Sequence, residues 1–336
     1  MTARRVSMAD VAERAGVSGQ TVSRVVNASP RVDPGTRARV EAAMRDLGYR
    51  PHRAARALRT GRTQTIGLVV STLASVGNSR MLQAVADAAA ARGYALTVVT
   101  LGADGDVAAA FERLAEQGVD GAIVLNEATA RVRGADVGAP GLRLVVVDSP
   151  RDERFGVVET DHAAGARSAV EHLLALGHAT VHHLAGPEGS FAAGERERGW
   201  RDALSAAGAA VPPVVRGDWT SASGFAAASA LLQTGATAVF AANDQMALGV
   251  LRAMGEAGRA VPGDVSVVGF DDVADAADYR PPLTTVRQDF DALGARAVAA
   301  LVDGIEAGAP AAFETVPTRL VVRESTAARS GLTARA

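Results

Sequence analysis

The sequence predicts an α/β protein in two parts: a small all-helical head, then a long body of alternating strands and helices folded as two doubly wound lobes of parallel sheet. Three observations predict it. Residues 1–62 show only helical spacing of apolar side chains. From Thr63 onward short apolar runs alternate with amphipathic stretches, the pattern of successive parallel β-α units. The charge divides at the same place. Residues 1–62 hold thirteen Arg and five acids, an excess of +8, whereas residues 63–336 hold twenty-two Arg and thirty-two acids, a balance of −10.

Composition excludes several kinds of chemistry. A chain of 336 residues is long enough for two or three domains and a large core. Cysteine is absent, so disulfides, thiol catalysis and Cys-based zinc sites are excluded. All 35 basic residues are arginine, which removes the Walker lysine and every Schiff-base lysine, and with them the ATPase, kinase and aldolase readings. No run of 18 apolar residues occurs, and the opening "MTARRVSMADVAERAG" meets charge again by Asp10. Neither a signal peptide nor a membrane span is expected, and a cytoplasmic location is.

In the head, Met8 to Ala15 reads as one amphipathic helix that Gly16 ends in a tight turn. Ser18 is placed to cap a second helix by accepting the Thr21 N–H. Val22, Val25 and Val26 of that helix face inward, leaving Gly19, Gln20, Ser23, Arg24 and Asn27 outward. A third helix runs from about Pro34 to Leu47, with Asp33 as cap, Pro34 in the first turn and Gly48 as stop. Val40, Met44 and Leu47 complete a small core. Three short helices with this turn make a helix-turn-helix. Its polar face suits the DNA major groove, where Gln pairs bidentately with adenine and Arg with guanine, and the +8 excess attracts phosphate.

The stretch "DVAERAGVSGQTVSRVVN", continued by "RVEAAMRDLGYRPHRAARAL", resembles the helix-turn-helix, third helix and hinge of the lac repressor family. The resemblance implies that Gln20 and Arg24 read bases and that Ser18 and Thr21 bind phosphate. Gly19, Ser23, Asn27, Arg31 and Arg53 complete the DNA-facing set. It also implies that Leu58 of the hinge segment wedges into the minor groove, where an unstacked base step lets the duplex bend. Gly19 departs from the aromatic residue that the family's namesake carries there. The implied organisation is a DNA-binding domain over 1–50, a hinge helix and linker over 51–62, and a ligand-binding and dimerisation body over 63–336. The N-lobe takes about 63–159 and 290–317, the C-lobe about 160–289 and 318–328.

In the body, strands are expected at "TIGLVVS", "YALTVVT", "VDGAIVLN", "RLVVVDSP", "TVHHLAG", "ATAVFAAN" and "DVSVVGFDD", with helices between them. The late helix "ALGARAVAALVDGI" and the strand "ETVPTRLVVRES" are expected to cross back between lobes. Ligand clefts of such sheets open at the carboxyl ends of strands. Polar residues stand there: Asp148 follows "LVVV", Asn243 follows "AVFAA" and Asp271 follows "VVGF". By resemblance the body is type I periplasmic-binding-protein-like. The segments holding Arg196, Trp219, Gln288 and Phe290 resemble the family's namesake closely, and Ser71 completes the implied ligand set. This chemistry suits a pyranose, with carboxylates and Asn for hydroxyls, Arg for two neighbouring oxygens, and aromatic rings for the C–H face. No excess of cations gathers, favouring a neutral ligand over a sugar phosphate. Ser75, Val76, Gly77, Asn78 and Met81 would face an aglycone or second sugar.

Plainer structural readings stand beside these. Asp148, Asn243 and Asp271 also suit helix caps. Trp200 lies inside an amphipathic helix and reads as core, whereas Trp219 stands in a polar turn and reads as a ligand platform. His182 and His183 are adjacent on a strand and point to opposite faces, so with His178 they read as structural rather than as a metal site. Arg319 and Arg323 read as surface residues.

The expected function is a homodimeric transcriptional repressor, with no catalytic residue, metal or cofactor. A galactoside-like inducer is expected to release it from a pseudo-palindromic operator, because a ligand that favours one lobe arrangement must weaken whatever the other arrangement binds. The end "RESTAARSGLTARA" carries none of the leucine heptads of the family's namesake, so by that resemblance a dimer rather than a tetramer is expected. The alternatives are a regulator of the same family using another sugar or a corepressor, a sugar-binding transport protein, and a sugar-processing enzyme with Asp148 and Asp271 as its carboxylates.

Overall fold

The computed structural model describes residues 6–26, 29–49, 61–101, 105–125, 128–129 and 142–329. The chain separates into two compact units, Met1–Gln64 and Thr65–Ala336. The first holds helices α1 (Met8–Ala15), α2 (Gly19–Val26) and α3 (Pro34–Asp46). Ser7 and Asp10 form a reciprocal capping box on α1, and Gly16 closes it in the left-handed conformation at φ 65°, where a side chain would be strained. Asp33 caps α3. Val11, Val22 and Val40 are wholly buried, and Ala12, Val25, Ala43 and Tyr49 complete the core. Met44 and Leu47, expected at its centre, are only half-buried at its rim. Tyr49 is the core residue that the helical spacing missed: past the left-handed Gly48 the chain folds back, and the Tyr49 N–H bonds the Met44 carbonyl at 2.9 Å.

The described residues of the second unit form two six-stranded sheets. The strands of the first are β1 (Thr65–Val70), β2 (Ala95–Thr100), β3 (Gly121–Leu125), β4 (Arg143–Val147), β5 (Gly156–Thr160) and β11 (Phe313–Val316), in spatial order β11-β5-β4-β3-β1-β2 and all parallel. The second sheet holds β6 (His182–Ala185), β7 (Val215–Arg216), β8 (Ala238–Ala241), β9 (Ser266–Asp271), β10 (Thr284–Arg287) and β12 (Arg319–Val321), in order β12-β10-β9-β8-β6-β7. Only β12 runs antiparallel to its neighbour. Each lobe thus borrows its outermost strand from the end of the chain. The single strand expected at "ETVPTRLVVRES" is instead two, one in each sheet, and Pro317, which lacks an N–H for a ladder, stands between them.

Strands β5, β7 and β10 were not among the expected ones. Each is short, and β5 and β10 end in polar residues, so neither alternation nor an apolar run marks them. The main helices are α4 (Val76–Ala91), α5 (Val107–Glu116), α6 (His162–Ala175), α7 (Phe191–Ala206), α8 (Ser221–Gln233), α9 (Asp244–Glu256) and α10 (Phe290–Ala307). Phe290, Leu293, Ala297 and Leu301 of α10 pack with Met81, Val85 and Ala89 of α4 over the first sheet. The segment between β10 and α10 is therefore one of three passages between lobes, the others joining β5 to α6 and β11 to β12. Among the described residues no helix is long and apolar enough to cross a membrane.

Candidate functional site

The exposed face of α2 gathers the first set of candidate residues. Ser18, Gly19, Gln20 and Arg24 are exposed, and Thr21 and Ser23 are half-buried beside the core positions Val22 and Val25. The Thr21 N–H donates to Ser18 Oγ at 3.2 Å, so Ser18 caps the helix. No acidic residue stands in the first turn, leaving the positive end of the helix open to an anion. A side chain at Gly19 would meet nothing within 4 Å, so the glycine is not demanded by packing of the head. Arg31 is exposed in the loop that leads to α3. Asn27, Arg53 and Leu58 lie outside the described residues.

The second set converges on a cavity in the body of about 470 Å³, mouth included. Asp148, Arg196, Trp219, Asn243, Asp271, Gln288 and Phe290 all line it, joined by Ser75, Gly77, Asn78, Met81 and Ala192. Ser71, half-buried after β1, is not among its lining residues, and Val76 instead packs against the apolar core of the second sheet. The residues come together because β4, β8, β9 and β10 all end there. A larger hollow of about 940 Å³ opens beside Arg143, Arg154 and Pro310, without any of the predicted residues.

Arg196 of α7 is 4% exposed and holds the cavity's charges in place. Its Nε donates to His162 Nδ1 at 3.3 Å, Nη1 donates to the Ala242 carbonyl, and Nη2 lies 3.5 Å from Asp271 Oδ1. The guanidinium carbon sits 3.9 Å from the centre of the Phe270 ring. The other ring nitrogen of His162, Nε2, faces Asp148 and is 3.1 Å from its Oδ1. Asp148 Oδ1 also accepts the Thr160 N–H at 2.9 Å.

The pKa values of the two carboxyl groups shift in opposite directions. Burial pushes Asp148 upward, but His162, the Thr160 amide and Arg196 outweigh it and hold the carboxyl below its ordinary range. At Asp271 burial wins over Arg196 and Gln288, and the carboxyl is raised. Asp271 accepts from Gln288 Nε2 at 2.6 Å. Beneath it, wholly buried Asp244 is raised well above its ordinary value, first by burial and then by the charge of Asp271.

Asn243 has both roles that the sequence allowed. Its Oδ1 accepts the Met246 N–H at 2.9 Å as the cap of α9, while its Nδ2 donates to the Trp219 carbonyl at 3.0 Å. Among the described residues Asp148 and Asp271 cap no helix; Asp161 caps α6. Trp219 is half-buried and reaches the end of β6 because Gly186 has no side chain there: an added Cβ would collide with the indole. Asp148, Trp219, Asp271 and Asp272 all have positive φ, at 54°, 76°, 114° and 53°, so backbone strain concentrates around this cavity.

Trp200 is wholly buried and donates to the Val181 carbonyl at 2.8 Å. His178 is held by Thr237 and Ser266, His183 stacks on Phe240, and no group of three metal-ligating side chains occurs among the described residues. Arg319 is exposed as expected, but Arg323 is not a plain surface residue. Its side chain is 18% exposed and lies 2.6 Å from Asp272, because the chain returning from β12 lays it against the loop after β9. The sequence reading also missed His162, because β5, which it follows in "ETDHAAG", was not among the expected strands and so no strand end pointed to it.

Residues 7–52 match the lacI family of bacterial regulatory proteins, and residues 170–326 match a periplasmic binding protein-like domain. The lactose operon repressor of Escherichia coli strain K12 is 40% identical over 98% of this chain and 93% of its own length. A crystal structure of the lac repressor dimer bound to operator and the anti-inducer ONPF superposes with a TM-score of 0.85 at 37% identity, covering 97% of this chain and 100% of that one. The structure of a transcriptional regulator CelR–cellobiose complex gives 0.72 at 35% identity, covering 96% and 100%. With helix-turn-helix, cleft and near full-length identity in agreement, the chain belongs to the lacI family of bacterial regulatory proteins.

Proposed function

We propose that this chain is a dimeric repressor that holds a pseudo-palindromic operator through the α2 face of each head and releases it when a galactoside enters the body cleft. The observation that carries the ligand half of this reading is the cavity itself. Seven of the eight residues singled out from the sequence line one space, with a single basic side chain, Arg196, set against Asp148 and Asp271. That balance suits a neutral, hydroxyl-rich ligand, since a phosphate would face two carboxylates with one cation to offset it. Trp219 offers the apolar face on which a pyranose packs. The exposed Gln20 and Arg24 support the DNA half, and the likeness to an operator-bound dimer supports the assembly.

A second reading, response to a different sugar, is favoured by the likeness to a regulator solved with cellobiose. Titration of the full chain with lactose, cellobiose and ribose, followed by tryptophan fluorescence and by gel shifts on an operator selected in vitro, separates the two. Lactose is expected to change the emission and release the DNA. Release by cellobiose or ribose, with no response to lactose, transfers the assignment to the second reading.

A further inference from the structure

Beneath the cavity, Asp272 forms two ion pairs with groups outside the cavity lining. Its side chain is 3% exposed, with Oδ2 2.5 Å from Arg287 Nη2 and Oδ1 2.6 Å from Arg323 Nη2. Asp271 and Asp272 are consecutive residues with positive φ, a conformation that side chains other than glycine resist, and one that persists only where the surroundings enforce it. The enforcing contacts are present on each side. The next amide, Val273 N–H, donates to Asp244 Oδ2 at 2.9 Å, and Asp244 Oδ1 accepts the Thr285 hydroxyl at 2.5 Å. Gly269 leaves the space that the Asp244 carboxyl occupies. Arg323 also donates from Nη1 to the Leu283 carbonyl at 2.7 Å, and its own N–H donates to Thr284 Oγ1 at 2.9 Å. Arg287 pairs in register with Asp271 across β9 and β10, and directly precedes Gln288, whose amide holds Asp271.

We propose that Asp272, Arg287 and Arg323 form a positioning clamp that aims the Asp271 carboxylate and the Gln288 amide into the cleft. The inference rests on the reading of that cleft as the sugar site. None of the three lines the cavity, so the clamp acts through Asp271 and Gln288 rather than on the ligand. A planar guanidinium bonded to a carboxylate on one side and a carbonyl on the other fixes direction as well as charge, which a flexible ammonium does less well. Arg323 follows β12, reached directly from the last passage between the lobes. The clamp therefore ties the ligand-facing carboxylate to that passage.

The test is a double-mutant cycle in the full-length protein, with sugar affinity read from tryptophan emission using whichever of lactose, cellobiose or ribose the wild type binds. Arg323→Met is expected to weaken binding by about tenfold, and Arg323→Lys, which keeps the charge, by less. In an Asp271→Asn background the same Arg323→Met change is expected to cost clearly less than in the wild type, because one of the two groups it positions is already lost. Asp272→Gly serves as a second variant: glycine adopts φ 53° without strain, so the backbone persists while both ion pairs vanish, and an affinity loss similar to that of Arg323→Met is expected. Additive losses in the cycle, or full affinity in Asp272→Gly, overturn the clamp while the sugar site stands. A wild type that binds none of the three sugars overturns both.

Discussion

On α2, Gln20 and Arg24 stand exposed, whereas in the cleft Asp148, Arg196, Asn243 and Asp271 are each at most 5% exposed and bonded to one another or to backbone. The two regions keep polar groups available by opposite means. Water serves the helix face until a partner replaces it, so those side chains cost the head almost nothing. In the cleft each polar group has lost its water and relies on a protein partner, so binding and folding draw on the same contacts. Recognition on α2 is separable from stability, and recognition in the cleft is not.

The largest expected effect breaks the cleft side of this comparison. Arg196→Ala leaves Asp271 and the Ala242 carbonyl without their partner, and breaking a buried pair costs about 3–5 kcal/mol. Trp200 and Trp219 are the two tryptophans of the chain and both lie in the body, so urea unfolding followed by tryptophan emission reads this loss directly. The sugar response should vanish with it, while operator binding without sugar stays near wild type. Unchanged body stability would show that the cleft charges are as independent of the fold as those of α2.

Acid sharpens the contrast next. His183 is wholly buried, its Nδ1 bonded to the Phe240 carbonyl, with Nε2 lacking any partner among the described residues. Burial lowers its pKa to about 4 from 6.5. Below 6.5 the unfolded chain takes up a proton that the folded chain refuses, so this group's stabilising contribution is complete above pH 6.5 and is lost as pH falls toward 4. The whole loss is about 3 kcal/mol. The wild type should therefore lose stability more steeply than His183→Phe between pH 6.5 and 5. Parallel slopes would remove His183 as the cause.

Arg24→Ala probes the other region. It should weaken binding at one operator position by about 1–3 kcal/mol and leave stability within about 0.5 kcal/mol. Binding to selected and scrambled duplexes at one salt concentration checks it, and an equal loss on both would make Arg24 a phosphate contact. The smallest effect is the loss of the α2 cap. Ser18→Ala should destabilise the head by about 1 kcal/mol, seen as faster hydrogen exchange of the Val22 and Val25 amides, with no change in tryptophan-detected unfolding of the body.

The head was legible in the sequence almost residue by residue. Its second and third helices open on the caps read from the sequence, Ser18 and Asp33, Gly16 and Gly48 are left-handed stops, and Gly19, Gln20, Thr21, Ser23 and Arg24 are neighbours on one helix. The alternation of the body likewise announced parallel sheets, and strand ends led to Asp148, Asn243 and Asp271. Tertiary structure alone decided the rest. Nothing local marks β5 or β10 as strands, because their stability comes from neighbours distant in the chain. Nothing near Arg323 announces that Asp272, 51 residues earlier, will take its charge. The opposite shifts of Asp148 and Asp271 were equally unreadable, since both follow apolar strands in the sequence. Burial raises both, but at Asp148 it is outweighed by His162, the Thr160 amide and Arg196, whereas at Asp271 it outweighs Arg196 and Gln288. A sequence records which residues can carry charge at the end of a strand; only the fold decides which partners remain once water has gone.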